Sequence, residues 1–225
     1  MRVVVVGGTG RTGRLIVEEA LKAGHEVCAY GRSASPETVP DGAEAIAGDA
    51  TDGQALHQAL EGADAVITAL SIPRKSPSPF AKVLGPDDLH SRSTMLILAA
   101  MVAHNIPRIV KVSAQSVGDS APRAGCLFKL LVAFSNLRPA FADHGIADKL
   151  VRRSNRAWTI LRPPVLTDDP ASGTVEADEA LRTWSWTKLS RRDVAESAVR
   201  ALTTPEWEGR CLSLGPGQAV DVDGH

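Results

Sequence analysis

The chain has 225 residues, 44% of them hydrophobic, and a formal net charge of −1. That is enough for one substantial core, and the length alone would also permit two domains. So even a balance of charge leaves no footprint for nucleic acid or an anionic membrane, and no apolar run is long enough to span a bilayer.

Cys28, Cys126 and Cys211 lie far apart. They form no zinc spacing and cannot all pair, which suits a reducing compartment and predicts no metal site. The N-terminus starts directly on an apolar strand, Val3 to Val6, with no secretory signal before it, so the expected location is the cytoplasm. Such a valine run reads as a strand buried on both faces, as parallel sheets require. Gly7, Gly10 and Gly13 follow, with Gly8 giving a second register, and Thr9, Arg11 and Thr12 stand between them. Leu15, Ile16, Ala20 and Leu21 then recur at helical spacing, so the glycine loop opens a helix. Glycine lets backbone approach a pyrophosphate, and a helix N-terminus offers it free N–H groups and a positive dipole end. Strand, glycines and helix in that order make the motif far more specific than a bare triplet.

Further strands are predicted at Glu26–Tyr30, Ala43–Gly48, Ala63–Leu70, Pro107–Ser113 and Trp158–Arg162, with helices at Gly53–Leu60 and Asp87–Asn105. This alternation predicts an α/β chain: a single Rossmann-type, doubly wound parallel sheet with helices on both faces. Residues 1–214 are expected to form that domain with a small C-terminal part covering the substrate, and 215–225 a flexible tail. Ile72–Gly85, rich in proline, and Gly118–Gly125 read as loops at the carboxyl edge of the sheet, where ligands of such folds bind.

After the second strand, a carboxylate would read the ribose 2′-hydroxyl of NAD. This chain has Gly31, Arg32 and Ser33 instead. Arg32 suits a phosphate, Ser33 adds a hydroxyl and Arg11 a second cation, which favours NADP(H). The competing reading of Arg32 is a solvated loop arginine. Asp49 and Ala50 are placed at the adenine rim, while Thr51 and Asp52 suit a helix cap. Ala69, Leu70 and Ser71 should border the nicotinamide ribose. Ser113 falls beside the nicotinamide ring, although a serine there also satisfies strand ends. His144 has an ordinary pKa near neutrality and could donate a proton, or simply face solvent or pack locally. Asp148, one helical turn on, could orient it and reach the substrate. Lys149, Arg152, Arg153 and Arg156 read as a solvated basic stripe.

GGTGRTG after the first strand, VKVSA at the fifth, WTILRPP at the sixth and SRRDVA at the last helix resemble atypical short-chain dehydrogenases. The similarity is to the NAD(P)H-binding, NmrA-like group that includes biliverdin and flavin reductases. It implies one Rossmann domain holding NADP(H), with Pro163, Pro164 and Val165 near the nicotinamide carboxamide and Leu166, Thr167 and Asp168 near the substrate mouth. The wider superfamily protonates substrate with a tyrosine from a Y-x-x-x-K motif. Here those positions fall on Ala140 and His144, and the one tyrosine, Tyr30, sits at the adenosine end. The expectation is therefore an NADPH-dependent reductase acting on a small, flat, conjugated acceptor such as a flavin or quinone. An NADP(H)-sensing binding protein without turnover, also found within the resemblance, is the alternative.

Overall fold

In the computed structural model, which describes residues 1–76, 78–123, 126–181 and 187–217, the valine run forms β1 (Arg2–Val6). Its side chains alternate between two cores: Val3 and Val5 face one, Val4 and Val6 the other. Period-two alternation in a strand covered on both faces demands apolar residues at every position, so four valines in a row are the local cause of its central place.

The chain continues through α1 (Arg11–Lys22), β2 (Glu26–Gly31), β3 (Glu44–Ala47), α2 (Gly53–Ala59), β4 (Ala65–Thr68), α3 (Leu89–Ala103) and β5 (Arg108–Val112). There follow α4 (Cys126–Ala133), α5 (Arg138–Arg152), β6 (Ala157–Arg162), β7 (Val165–Thr167), β8 (Val175–Asp178), β9 (Lys188–Ser190), α6 (Arg191–Ala201) and β10 (Arg210–Pro216). Eight strands form one sheet in the order β3-β2-β1-β4-β5-β6-β10-β8. Every pairing in it is parallel except that of β8 with β10. Helices α1 and α6 cover the face of Val3 and Val5, while α2, α3 and α5 cover the face of Val4 and Val6. The strand order reverses direction between β1 and β4, which opens a crevice at their carboxyl ends. This is the doubly wound architecture expected from the alternation.

Several boundaries differ. β10 runs to Pro216, antiparallel to β8, so the C-terminal segment leaves the sheet two residues later than expected; residues 218–225 lie outside the described ones. β7 and β9 pair in a separate two-stranded sheet that sequence periodicity does not announce, each being three residues long. Gly118–Arg123 forms a 3-10 helix rather than a plain loop. The described residues of Ile72–Gly85 are irregular apart from one bridge between Arg74 and Val83. Trp184 and Trp186, which alternate as in a short strand, lie outside the described residues.

Candidate active site

The glycine loop has the backbone its sequence demands. Gly7 adopts φ +91°, closed to most L side chains, and a Cβ there would lie 2.6 Å from the Ala69 carbonyl oxygen. At Gly13 a Cβ would stand 1.9 Å from the Gly7 carbonyl oxygen, so α1 could not pack against β1 with any larger residue. Gly10 is the N-cap of α1; it offers no side-chain cap, and the first turn holds no acidic residue. The first N–H groups of this twelve-residue helix therefore keep their donors for an external anion. Thr9 lies against Gly31, closing the loop onto the end of β2, and Thr12 is half-buried. A phosphate-bearing dinucleotide fits this cradle.

Arg32 and Ser33 follow β2 and are exposed, which suits both a 2′-phosphate site and a solvated loop arginine. Asp49 is held in place by Thr51, whose N–H (2.8 Å) and hydroxyl (2.7 Å) both donate to Oδ1. Those bonds hold its carboxyl below the usual range, with Arg32 a smaller contributor. Asp52, not Thr51, caps α2, accepting from Gln54 and Ala55. Ala50 is buried, Ala69 and Leu70 are half-buried and Ser71 is exposed beyond β4. Tyr30 is fully buried, donates to the Asp49 carbonyl oxygen at 2.9 Å and is pushed up to about 12, chiefly by burial. It is a strut beneath the segment that follows β3.

At the other end of the crevice, α5 meets β5 and β6 through a buried polar network. Residues 109, 111 and 113 point toward α5 because side chains alternate along β5 and its extension, and Arg162 does the same from β6. Asp148 is 2% exposed and gathers them. Its Oδ1 accepts from Lys111 Nζ at 3.0 Å, and its Oδ2 from Ser113 Oγ at 3.1 Å and from Arg162 at 3.0 and 3.2 Å. Both oxygens of Asp148 are thus bonded to the protein, which makes it the organiser of Ser113 rather than the substrate contact expected from its spacing. Ser113 spends its own proton on Asp148, so toward a ligand its oxygen offers lone pairs.

His144 does not carry the near-neutral titration expected of it. Burial first, then Lys111 and His90, lower its pKa well below the ordinary value. Lys111 Nζ lies 3.3 Å from His144 Nδ1, and an ammonium can only donate, so Nδ1 accepts and the ring proton resides on Nε2. The ring stacks on His90 with centroids 3.6 Å apart. His90, from the first turn of α3, is itself lowered to about 3, chiefly by burial. Asp143 accepts the backbone N–H groups of His90 (2.6 Å) and Ser91 (3.1 Å), which fixes α3 against α5. Lys111, Arg162, His90 and Asp143 carry no motif spacing. Lys111 and Arg162 left a trace, each as a cation within a largely apolar strand. Lys149, Arg152 and Arg153 are exposed as expected, whereas Arg156 is half-buried and donates to the Ile106 carbonyl oxygen.

Arg11 does not turn toward Arg32. It pairs with Asp168, just past β7, which also binds Arg191 at 2.7 Å. Pro164, Leu166 and Thr167 are half-buried and Val165 is exposed on the same rim, where β7 runs beside β9 into α6.

A family model described as NAD(P)H-binding matches residues 7–205. Among curated proteins, the 2-alkyl-3-oxoalkanoate reductase of Stenotrophomonas maltophilia is 34% identical over 125 residues, 54% of this chain and 36% of that protein. The chain therefore spans about a third of that relative's length. Among solved structures, ChuY, described as an anaerobillin reductase from Escherichia coli O157:H7, superposes with a TM-score of 0.78 at 20% identity, covering 97% of this chain and 98% of that one. A short-chain dehydrogenase/reductase from Veillonella parvula in complex with NADP gives 0.75 at 19%, over 96% and 95%. Likeness at that identity speaks for the fold. The match of the family model over most of the chain speaks for descent: this is a member of the NAD(P)H-binding family.

Proposed function

We propose that the protein is an NADPH-dependent reductase that delivers hydride to a flat, conjugated acceptor such as a flavin, a quinone or a linear tetrapyrrole. The observation that carries this reading is the character of the network around Asp148. Its histidine is held neutral by burial and Lys111, and the only tyrosine is buried at the opposite end with its phenol raised to about 12. Among the described residues no phenol stands where the superfamily's acid would be. A carbonyl substrate needs that proton as the alkoxide forms, whereas a conjugated ring spreads the charge it receives. Reductases among the relatives and structural neighbours support the class of reaction.

In this reading the glycine loop and the N-terminus of α1 hold the diphosphate, and Arg32 with Ser33 holds the 2′-phosphate. NADPH, when bound, supplies the hydride. Asp148 fixes the Ser113 oxygen as an acceptor at the end of β5, and Lys111 fixes the His144 tautomer. Pro164 and Val165 wall the nicotinamide side; Leu166 and Thr167 stand at the acceptor's entrance. Holding two rings in contact is most of what such a transfer asks of a protein.

NADPH oxidation is expected with FMN, riboflavin or menadione as acceptor. No oxidation with any of these, together with equal affinity for NADP+ and NADPH, would instead support the binding protein without turnover. Replacing Arg32 by alanine (R32A) should weaken NADP+ by about 1–3 kcal/mol and leave NAD+ unchanged, a charge-assisted bond to phosphate being of that size. Titration of both dinucleotides checks this, and an unaltered preference would remove the assignment.

A further inference from the structure

Four arginines line a groove of about 550 Å³ that begins at Thr9 and Gly10 and runs between the first turns of α1 and α6. They are not equivalent. Arg14 lies 3.6 Å from Glu18 within α1, and Arg192 ties α6 to α1 by reaching Glu18 and Glu19 at 3.2 and 2.6 Å, so both are engaged with carboxylates of α1. Arg11 and Arg191 instead share one carboxylate, Asp168. Asp169 also lies on the rim, and among the described residues none of the four bonds to it.

The two contacts to Asp168 differ in how firmly they are built. The Arg191 side chain is 14% exposed, so the fold holds it; those of Arg11 and Asp168 are 63% and 61% exposed. Exposed ion pairs contribute little, about 0–1 kcal/mol, so Asp168 is readily exchanged for another anion. Arg191 is lowered by burial first and then by the Arg11 charge beside it. The uncapped N-terminus of α1 adds its own positive end to the same groove. Two planar guanidiniums on adjacent elements match the oxygens of a phosphoryl group better than those of a carboxylate.

We propose that Arg11 and Arg191 form a two-guanidinium seat for a phosphoryl group, with Asp168 the internal carboxylate that this group replaces. The seat joins α6, at the far end of the chain, to the glycine loop. A phosphoryl group can reach it from two sources: the dinucleotide's diphosphate, or a phosphate arm on the acceptor. The first rests on the cofactor reading above; the second does not.

The test is equilibrium titration of the full chain, wild type, Arg191→Gln and Asp168→Asn, with NADP+, 2′,5′-ADP, FMN and riboflavin as probes. If the seat takes the diphosphate, Arg191→Gln should weaken NADP+ about 10-fold or more, Asp168→Asn should tighten it, and 2′,5′-ADP, which keeps only one of the two phosphates, should be weakened less. If it takes an acceptor's phosphate, Arg191→Gln should leave NADP+ unchanged and abolish the preference for FMN over riboflavin, which Asp168→Asn should increase. Either pattern supports the seat and names its source. Failure of both variants to move NADP+ or the FMN preference overturns it. Wild-type protein that does not bind NADP+ contradicts the cofactor reading, while the flavin pair still decides the seat.

Discussion

Replacing Asp148 by alanine should cost about 3–5 kcal/mol of stability, the usual consequence of removing one partner from a buried ion pair. The reason is visible in its contacts. The Lys111 side chain is 3% exposed and its ammonium keeps only the neutral His144 ring nitrogen once the carboxylate has gone. Arg162 loses two bonds and Ser113 one. Denaturant unfolding of D148A reads the loss directly. Since part of the effect arises from the stranded lysine, the double variant K111M/D148A should recover that part, and a double-mutant cycle isolates the coupling. Additive losses would show that Lys111 and Asp148 are not the pair the geometry describes. Where D148A retains its fold, hydride transfer should also fall, because the Ser113 oxygen is no longer aimed.

Acid should unfold this protein early. His90 titrates near 3 in the folded chain against an ordinary 6.5, so between those values the unfolded chain binds a proton that the native one refuses. Stability contributed by this group is present above pH 6.5 and is lost as pH falls toward 3. The slope is about 1.4 kcal/mol per pH unit, hence about 2 kcal/mol by pH 5. His144 is shifted the same way and adds to the loss. Replacing His90 by phenylalanine keeps a ring against His144 and removes the titration. The difference in unfolding free energy between pH 7.5 and 5 should then shrink by about 2 kcal/mol. An identical pH dependence in H90F and wild type would place the acid sensitivity elsewhere.

What was legible in the sequence was what local chemistry dictates. Four valines can only be a strand covered on both faces, and glycines at 7, 10 and 13 can only precede a helix pressed close to that strand. The strand ends were legible to within a few residues because apolar side chains dominate the strands and turn residues bound them. The three-residue strands β7 and β9 were not, since runs so short carry no period. Nor was the binding partner of Arg11. From spacing it belongs with Arg32; in the fold it meets Asp168, 157 residues away, because α6 packs along α1 and brings β7 with it.

The sequence by itself determined the parallel sheet, the phosphate-binding turn and the absence of a tyrosine acid, since each depends on residue type within one short segment. Only the tertiary structure decided what Asp148 and His144 are. A carboxylate and an imidazole one turn apart on a helix read as a proton donor and the group that orients it. Docked against β5 and β6, the same two side chains lose water and gain Lys111, Ser113 and Arg162. Desolvation and those partners, which no local pattern encodes, turn one into an organiser and hold the other neutral.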